Sequence, residues 1–79
     1  MTLLYFSKLR DLTGRDSEQI PMTTSLSEDG LWDLLEARHP GIGKSRNYVR
    51  IARNQVYLEA NSMLEPNDEV ALIPPVSGG

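Results

Sequence analysis

The residues best placed to do chemistry stand at the end of the sequence, Pro74-Pro75-Val76-Ser77-Gly78-Gly79. The prolines carry no amide hydrogen and favour an extended backbone, so this stretch is expected to resist pairing as a further strand. Extended, six residues reach roughly 20 Å, enough to enter a pocket on another protein. Gly78 and Gly79 have no side chains, so a narrow channel could admit them and bring reactive groups close to the backbone. The Gly79 carboxylate is a poor electrophile until a leaving group is attached. Joining AMP to it supplies one, and a sulfur or amine nucleophile can then displace the AMP. Sulfur on the carbonyl gives a thiocarboxylate, which is a competent sulfur donor. A Pro/Gly-rich end is also what a frayed terminus looks like, so the diglycine gains meaning only from what precedes it.

Nothing else in the chain competes for a catalytic role. Seventy-nine residues make one domain with a small core, which favours a carrier, adaptor or subunit over a free-standing enzyme. There is no cysteine, which removes disulfides, thiolate metal sites and thiol catalysis and fits a cytoplasmic setting. His39 is the lone histidine and is read as a helix C-cap, and the carboxylates show no metal-ligand spacing. The net charge of −3 argues against a nucleic-acid partner. No apolar run approaches a membrane span and no signal peptide is read. Lys44, Arg46, Arg50 and Arg53 cluster in sequence, either as a solvated edge or as a patch for an acidic partner.

The elements that must hold the tail are short. Residues 1–7 read as a strand with two parities, Leu3/Tyr5 and Leu4/Phe6. Leu9 and Leu12 suit a turn of helix or a packed loop, and Thr13-Gly14-Arg15-Asp16 is a turn signal. Residues 18–21 read as a second strand. Ser25 followed by Glu28 reads as a capping box opening a helix. Leu31, Leu34 and Leu35 form its apolar stripe, extended back by Leu26, with Trp32 on the flank. Gly30 is a weak point inside it, costing about 1 kcal/mol relative to alanine. Arg38 and His39 close the helix and Pro40-Gly41 stops it. Residues 42–47 read as loop, residues 48–53 as a strand, Asn54-Gln55 as a tight turn, residues 56–58 as the returning strand and Glu69–Ile73 as the last. The plan is α+β, about five strands in a mixed sheet packed on one main helix, with the first and last strands parallel at the centre. Residues 1–73 form the domain and residues 74–79 the tail.

Residues 4–14, Leu4-Tyr5-Phe6-Ser7-Lys8-Leu9-Arg10-Asp11-Leu12-Thr13-Gly14, resemble the opening of molybdopterin synthase small subunits. Residues 68–79, Asp68-Glu69-Val70-Ala71-Leu72-Ile73-Pro74-Pro75-Val76-Ser77-Gly78-Gly79, resemble their ending. The likeness spans essentially the whole length and is weakest through residues 40–49. It departs at Arg53, where such proteins carry a small or branched apolar residue.

The resemblance implies a ubiquitin-like β-grasp fold. It implies that an adenylating enzyme of the ubiquitin-activating (E1-like) kind activates Gly79 with ATP and that a sulfur-transfer enzyme converts it to a thiocarboxylate. The large synthase subunit would then receive the tail, and sulfur would pass to cyclic pyranopterin monophosphate to make the dithiolene of molybdopterin. Two small and two large subunits would assemble. The catalytic side chains would belong to the large subunit, with no cofactor or metal held by this chain.

A single helix covers one face of the sheet. By alternation Phe6 and Ile73 point to the other face, with Tyr57 nearby. The resemblance adds Arg10 to these three as the contact surface for the large subunit and the activating enzyme. Two relatives of this reading share the diglycine: a sulfur carrier for thiamine thiazole synthesis, and a ubiquitin-like modifier joined to target lysines. A plain interaction domain with an inert tail is the remaining class.

Overall fold

The computed structural model describes residues 1–74. Its strands are β1 (Thr2–Tyr5), β2 (Ser17–Gln19), β3 (Arg50–Arg53), β4 (Val56–Tyr57) and β5 (Glu69–Ile73), joined in one sheet in the order β2-β1-β5-β3-β4. β1 and β5 run parallel, with Leu3 opposite Val70 and Tyr5 opposite Leu72. All other pairings are antiparallel. The alternation seen in the sequence sets the layers: Leu3, Tyr5, Val70 and Leu72 are all buried beneath the helix, at most 2% exposed. Their neighbours Leu4, Ala71 and Ile73 face the other way and are only partly covered.

Two helices accompany the sheet, α1 (Lys8–Thr13) and α2 (Glu28–Arg38). α2 starts later than Ser25 and Glu28 suggest. Its N-cap is Ser27, whose Oγ accepts the Gly30 amide at 3.0 Å. Leu26 cannot join the helix because it forms an isolated bridge with Leu64, the two exchanging amide-to-carbonyl bonds of 2.8 and 2.7 Å. The face turned to the core also differs from the Leu31/Leu34/Leu35 stripe. Leu31, Trp32 and Leu35 face the core, Trp32 with only 4% exposure, while Leu34 lies at the margin. At about 100° per residue, the centre of the 31/32/35 stripe lies roughly 100° from Leu34. Trp32 is therefore core and not flank. A Cβ at Gly30 would come within 2.7 Å of Leu26 Cδ1, so the end of the Leu26 side chain would have to shift to admit one.

His39 is the C-cap, its amide bonded to the Leu35 carbonyl at 2.7 Å. Gly41 follows at φ 99°, a conformation that glycine takes without penalty. The Glu36 carboxylate closes the turn by accepting the amides of Gly41 (2.7 Å) and Gly43 (2.9 Å). Those two bonds, in that order, hold its pKa below the ordinary carboxylate value. The stretch read as loop contains a 3₁₀ turn, Ile42–Ser45, that plugs Ile42 fully into the core. That turn continues through amide bonds from Tyr48 and Val49 to Ser45, so β3 begins at Arg50, two residues later than the alternation suggests. β2 also shifts, ending at Gln19 ahead of Pro21, with the Ile20 amide bonded to the Met1 carbonyl at 2.8 Å.

Candidate functional site

β5 carries the chain to Pro74, the last described residue, so whatever lies beside its final turn of backbone is what the tail leaves behind. The open face of the sheet there holds a hollow of about 430 Å³. Its floor is two alanines, Ala71 of β5 and Ala52 of β3, which pair directly in register. Larger side chains rise on either side: Leu4 and Phe6 from the β1 side, Tyr57 from β4, which is opposite Ala52. Ile73 closes the end nearest the tail, and Glu69 and Gln55 the other. Phe6 is 45% exposed and Tyr57 49% exposed, large values for aromatic side chains beside an apolar floor.

Backbone turns with positive φ aim both walls. After Phe6 the chain reverses at Ser7, φ 51° and ψ −126°, with the Leu9 amide bonded to the Phe6 carbonyl at 3.0 Å. These are the angles of the first central residue of a type II′ turn, a place that favours glycine. Tyr57 is returned over Ala52 by Asn54 (φ 51°) and Gln55 (φ 73°), the two left-handed residues of a type I′ hairpin. Asn54 also fastens that hairpin to the start of β5. Its Oδ1 accepts the Glu69 amide at 2.9 Å and its Nδ2 donates to Asp68 Oδ1 at 3.0 Å.

Of the residues assigned to partner contact from the sequence, Phe6, Tyr57 and Ile73 share this hollow. Arg10 does not line it. It lies on α1 with an exposed side chain, 3.6 Å from Asp16 Oδ1. Pro74 is partly buried. Pro75, Val76, Ser77, Gly78 and Gly79 lie outside the described residues.

The basic cluster of the sequence is dispersed. Arg46 pairs with Asp29. Arg53 is half-buried. Its stem lies on the core side of β3, and its Nη1 donates to the Met63 carbonyl at 2.5 Å, with Asp68 Oδ2 3.9 Å from Nε. The arginine replaces an apolar residue because its stem can cover the sheet end while its head reaches loop acceptors. Arg50 stacks on Tyr57, its guanidinium carbon 3.7 Å from the ring centroid.

A second polar assembly lies on the helix side of the sheet. Glu18 of β2 is only 9% exposed. Its Oε1 accepts from Tyr5 Oη and faces His39 Nε2, and its Oε2 accepts from Arg38 Nη1, all at 2.8 Å. Arg15 stands 3.8 Å away. Burial pushes the Glu18 carboxyl up, but the hydrogen bonds from His39, Tyr5 and Arg38 outweigh it and hold the pKa down at about 2. Burial, aided by the bond to Glu18, pushes the Tyr5 phenol well above its ordinary value. So His39 does more than cap: its ring meets Tyr5 edge-on at 5.8 Å and ties α2 to β2. The sequence held one signal of this. Glu18 shares strand parity with the apolar Ile20, so if one faces the core, so does the other. Among the described residues no group of three or more His, Asp and Glu is arranged to hold a metal ion, and no helix is long and apolar enough to cross a membrane.

The sequence model of the ThiS family matches residues 3–79. The molybdopterin synthase sulfur carrier subunit of Homo sapiens is 41% identical over 80 residues, spanning 98% of this chain and 91% of the human one. The fold matches a putative molybdopterin converting factor, subunit 1, from Pyrococcus furiosus with TM-score 0.81 and 26% identity, covering 95% of each chain. It matches SAMP1 of Haloferax volcanii equally well, with TM-score 0.81 and 25% identity over 100% of this chain and 98% of that one.

Proposed function

The chain belongs to the ThiS family, and from that membership we propose that it is the sulfur carrier subunit of a molybdopterin synthase. The observation that carries the proposal is the 41% identity to the human sulfur carrier subunit across nearly the whole of both chains. The ubiquitin-like β-grasp supports it, because β5 carries the chain past an apolar docking hollow and straight into the Pro-Pro-Val-Ser-Gly-Gly segment.

In this reading the body delivers and the tail reacts. A Gly79 carboxylate oxygen attacks the α-phosphorus of ATP on an adenylating enzyme, and pyrophosphate leaves. The terminal sulfur of a persulfide on a sulfur-transfer enzyme then attacks the carbonyl carbon and expels AMP, and a thiol reductant cleaves the resulting acyl disulfide, leaving the thiocarboxylate and the enzyme sulfur as a disulfide with that thiol. The large synthase subunit takes the tail into its active site, where that sulfur passes to cyclic pyranopterin monophosphate. Two copies of each subunit assemble, in the cytoplasm. Pro74, Pro75, Val76, Ser77 and Gly78 give reach and slenderness, and catalytic side chains come from the large subunit. Phe6, Tyr57 and Ile73, with Arg10 on α1 outside the hollow, form the contact surface, an exposed apolar patch being a common mark of an interface.

The test is intact mass spectrometry of the protein from its native host. Replacement of one terminal oxygen by sulfur is the expected mass change. A chain found only as the carboxylate while molybdopterin is being made sinks the proposal. Removal of Gly79 should abolish sulfur transfer and leave the melting midpoint and large-subunit binding unchanged. The likeness to SAMP1, named elsewhere among the similar structures as a small archaeal modifier protein, favours one second reading, a modifier joined to lysines. Gly-Gly remnants on the lysines of many host proteins would select that reading over the carrier.

A further inference from the structure

Opposite charges flank the hollow: Glu69 is part of its lining, and Arg50 stands just outside it, beside Ile73 and Tyr57. Glu69 opens β5 and is exposed at one end. At the other end Ile73 is paired in register with Arg50, which shares a face with Ala52 and stacks on Tyr57. Four residues of strand separate the two ends, roughly 13 Å. Among the described residues, Arg10, Arg15, Arg38, Arg46 and Arg53 each stand at ion-pair distance from a carboxylate. Arg50 alone of the six arginines has no carboxylate at that distance among the described residues. It is exposed and held instead by the face of Tyr57, a residue of the hollow, with its backbone opposite Ile73.

We infer that Arg50 and Glu69 set the direction in which the large synthase subunit docks. The partner surface that fits carries three features in order: a carboxylate for Arg50, an apolar side chain for the Ala52/Ala71 floor, and a basic group for Glu69. This rests on the reading of the chain as the carrier subunit. A guanidinium stacked on a ring is pre-organised and loses less freedom on pairing than a free one. The apolar floor beside it excludes water on docking and strengthens the pair. A reversed partner would bring its carboxylate against Glu69 and its cation against Arg50, so the wrong orientation is repelled. The apolar floor gives adhesion and the rim gives polarity, which a carrier needs because its tail must enter the partner from one side only. Arg50 is a positioning residue that touches no reacting atom.

The experiment measures Kd and kon for the full chain and the purified large subunit, with the melting midpoint of each variant. Ionic strengths of about 0.05 and 0.5 M bracket strong and weak screening. Arg50→Glu is expected to weaken binding about tenfold or more at low salt, mostly through kon, with the gap closing at high salt. Glu69→Lys is expected to behave likewise, and Arg50→Lys to keep most of the salt dependence while losing part of the affinity. If Arg50→Glu does not fold, Arg50→Gln is read in the same series. Phe6→Arg is the control for the hollow itself. If Arg50→Glu and Glu69→Lys bind within about twofold of the unaltered chain while Phe6→Arg does not bind, the rim has no directing role and the inference falls, with the docking surface intact. If Phe6→Arg also binds normally, the docking surface proposed above is wrong. If the isolated chain dimerises and Arg50→Glu dissolves the dimer without affecting the large subunit, the occupant is a second copy, and the inference is overturned.

Discussion

Glu18 Oε1 lies 2.8 Å from His39 Nε2, joining the edge strand β2 to the end of α2 across the top of the core. With Tyr5 and Arg38 on the same carboxylate, the contact locks three elements, β1, β2 and α2, into one arrangement. Glu18→Gln should therefore destabilise the fold by about 2–3 kcal/mol, since a neutral amide cannot satisfy these donors and leaves Arg38 without its buried anion. Tyr5→Phe should cost less, about 1–2 kcal/mol, because it removes one donor from a carboxylate that keeps two. Urea unfolding midpoints at neutral pH check both, and an unchanged midpoint for Glu18→Gln would show the network to be idle.

The same carboxylate sets an acid limit. Its folded pKa, about 2, lies below the ordinary value of 4.5. Between those values the unfolded chain binds the proton and the folded chain does not, so acid favours unfolding. The contribution, on the order of 3 kcal/mol, is complete above about pH 5 and lost as pH falls towards 2. Unfolding free energies should drop more steeply over this range in the unaltered protein than in Glu18→Gln. Parallel pH profiles would contradict that assignment.

Ser7 and Gln55 occupy backbone conformations better suited to glycine, φ 51° and φ 73°. Ser7→Gly and Gln55→Gly should each raise stability by up to about 1 kcal/mol, partly offset by the greater freedom of glycine in the unfolded chain. For a domain of this size, a gain of that order moves the melting midpoint up by roughly 4–8 °C. A fall in the midpoint on either substitution would mean that those turns are not strained.

Phe6 and Ile73 are on the open face, outside the buried core. Phe6→Arg and Ile73→Arg should weaken binding to the large subunit by about 30-fold or more while lowering the melting midpoint by only a few degrees. Matched losses of folding and binding would place those side chains in the core instead.

Strand parity carried most of what the sequence disclosed. Alternation separated Phe6 and Ile73 from Leu3/Tyr5 and Val70/Leu72, but both runs are apolar on each parity, so it was the single covering helix that marked Phe6 and Ile73 as the open side. What escaped were contacts between distant segments. The start of α2 depends on the Leu26–Leu64 bridge, 38 residues apart in sequence, and local capping signals at Ser25 and Ser27 do not choose between themselves. Trp32 escaped because it is adjacent to Leu31 and about 60° from Leu35 on the helix, a position the Leu31/Leu34/Leu35 stripe leaves at its edge. The alanine floor escaped for another reason: Ala52 and Ala71 are unremarkable singly and form a hollow only because they pair in register. Arg50 looked like one of several clustered cations until Tyr57 was placed beneath it.

The position of β5 bears on how the body comes into being. Among the described residues it is the latest strand in sequence and the middle one in space, hydrogen-bonded to β1 on one side and β3 on the other. Before it arrives, the earlier strands form two separate pairs, β2 with β1 and β3 with β4, and a two-stranded ribbon is at best marginally stable alone. Completion of the sheet must therefore wait on residues 69–73, because β1 and β3 are hydrogen-bonded to β5 and not to each other. The segment that seals the fold is also the one that leads to the diglycine, so a well-folded body is one whose synthesis has already reached the residue from which the diglycine segment departs.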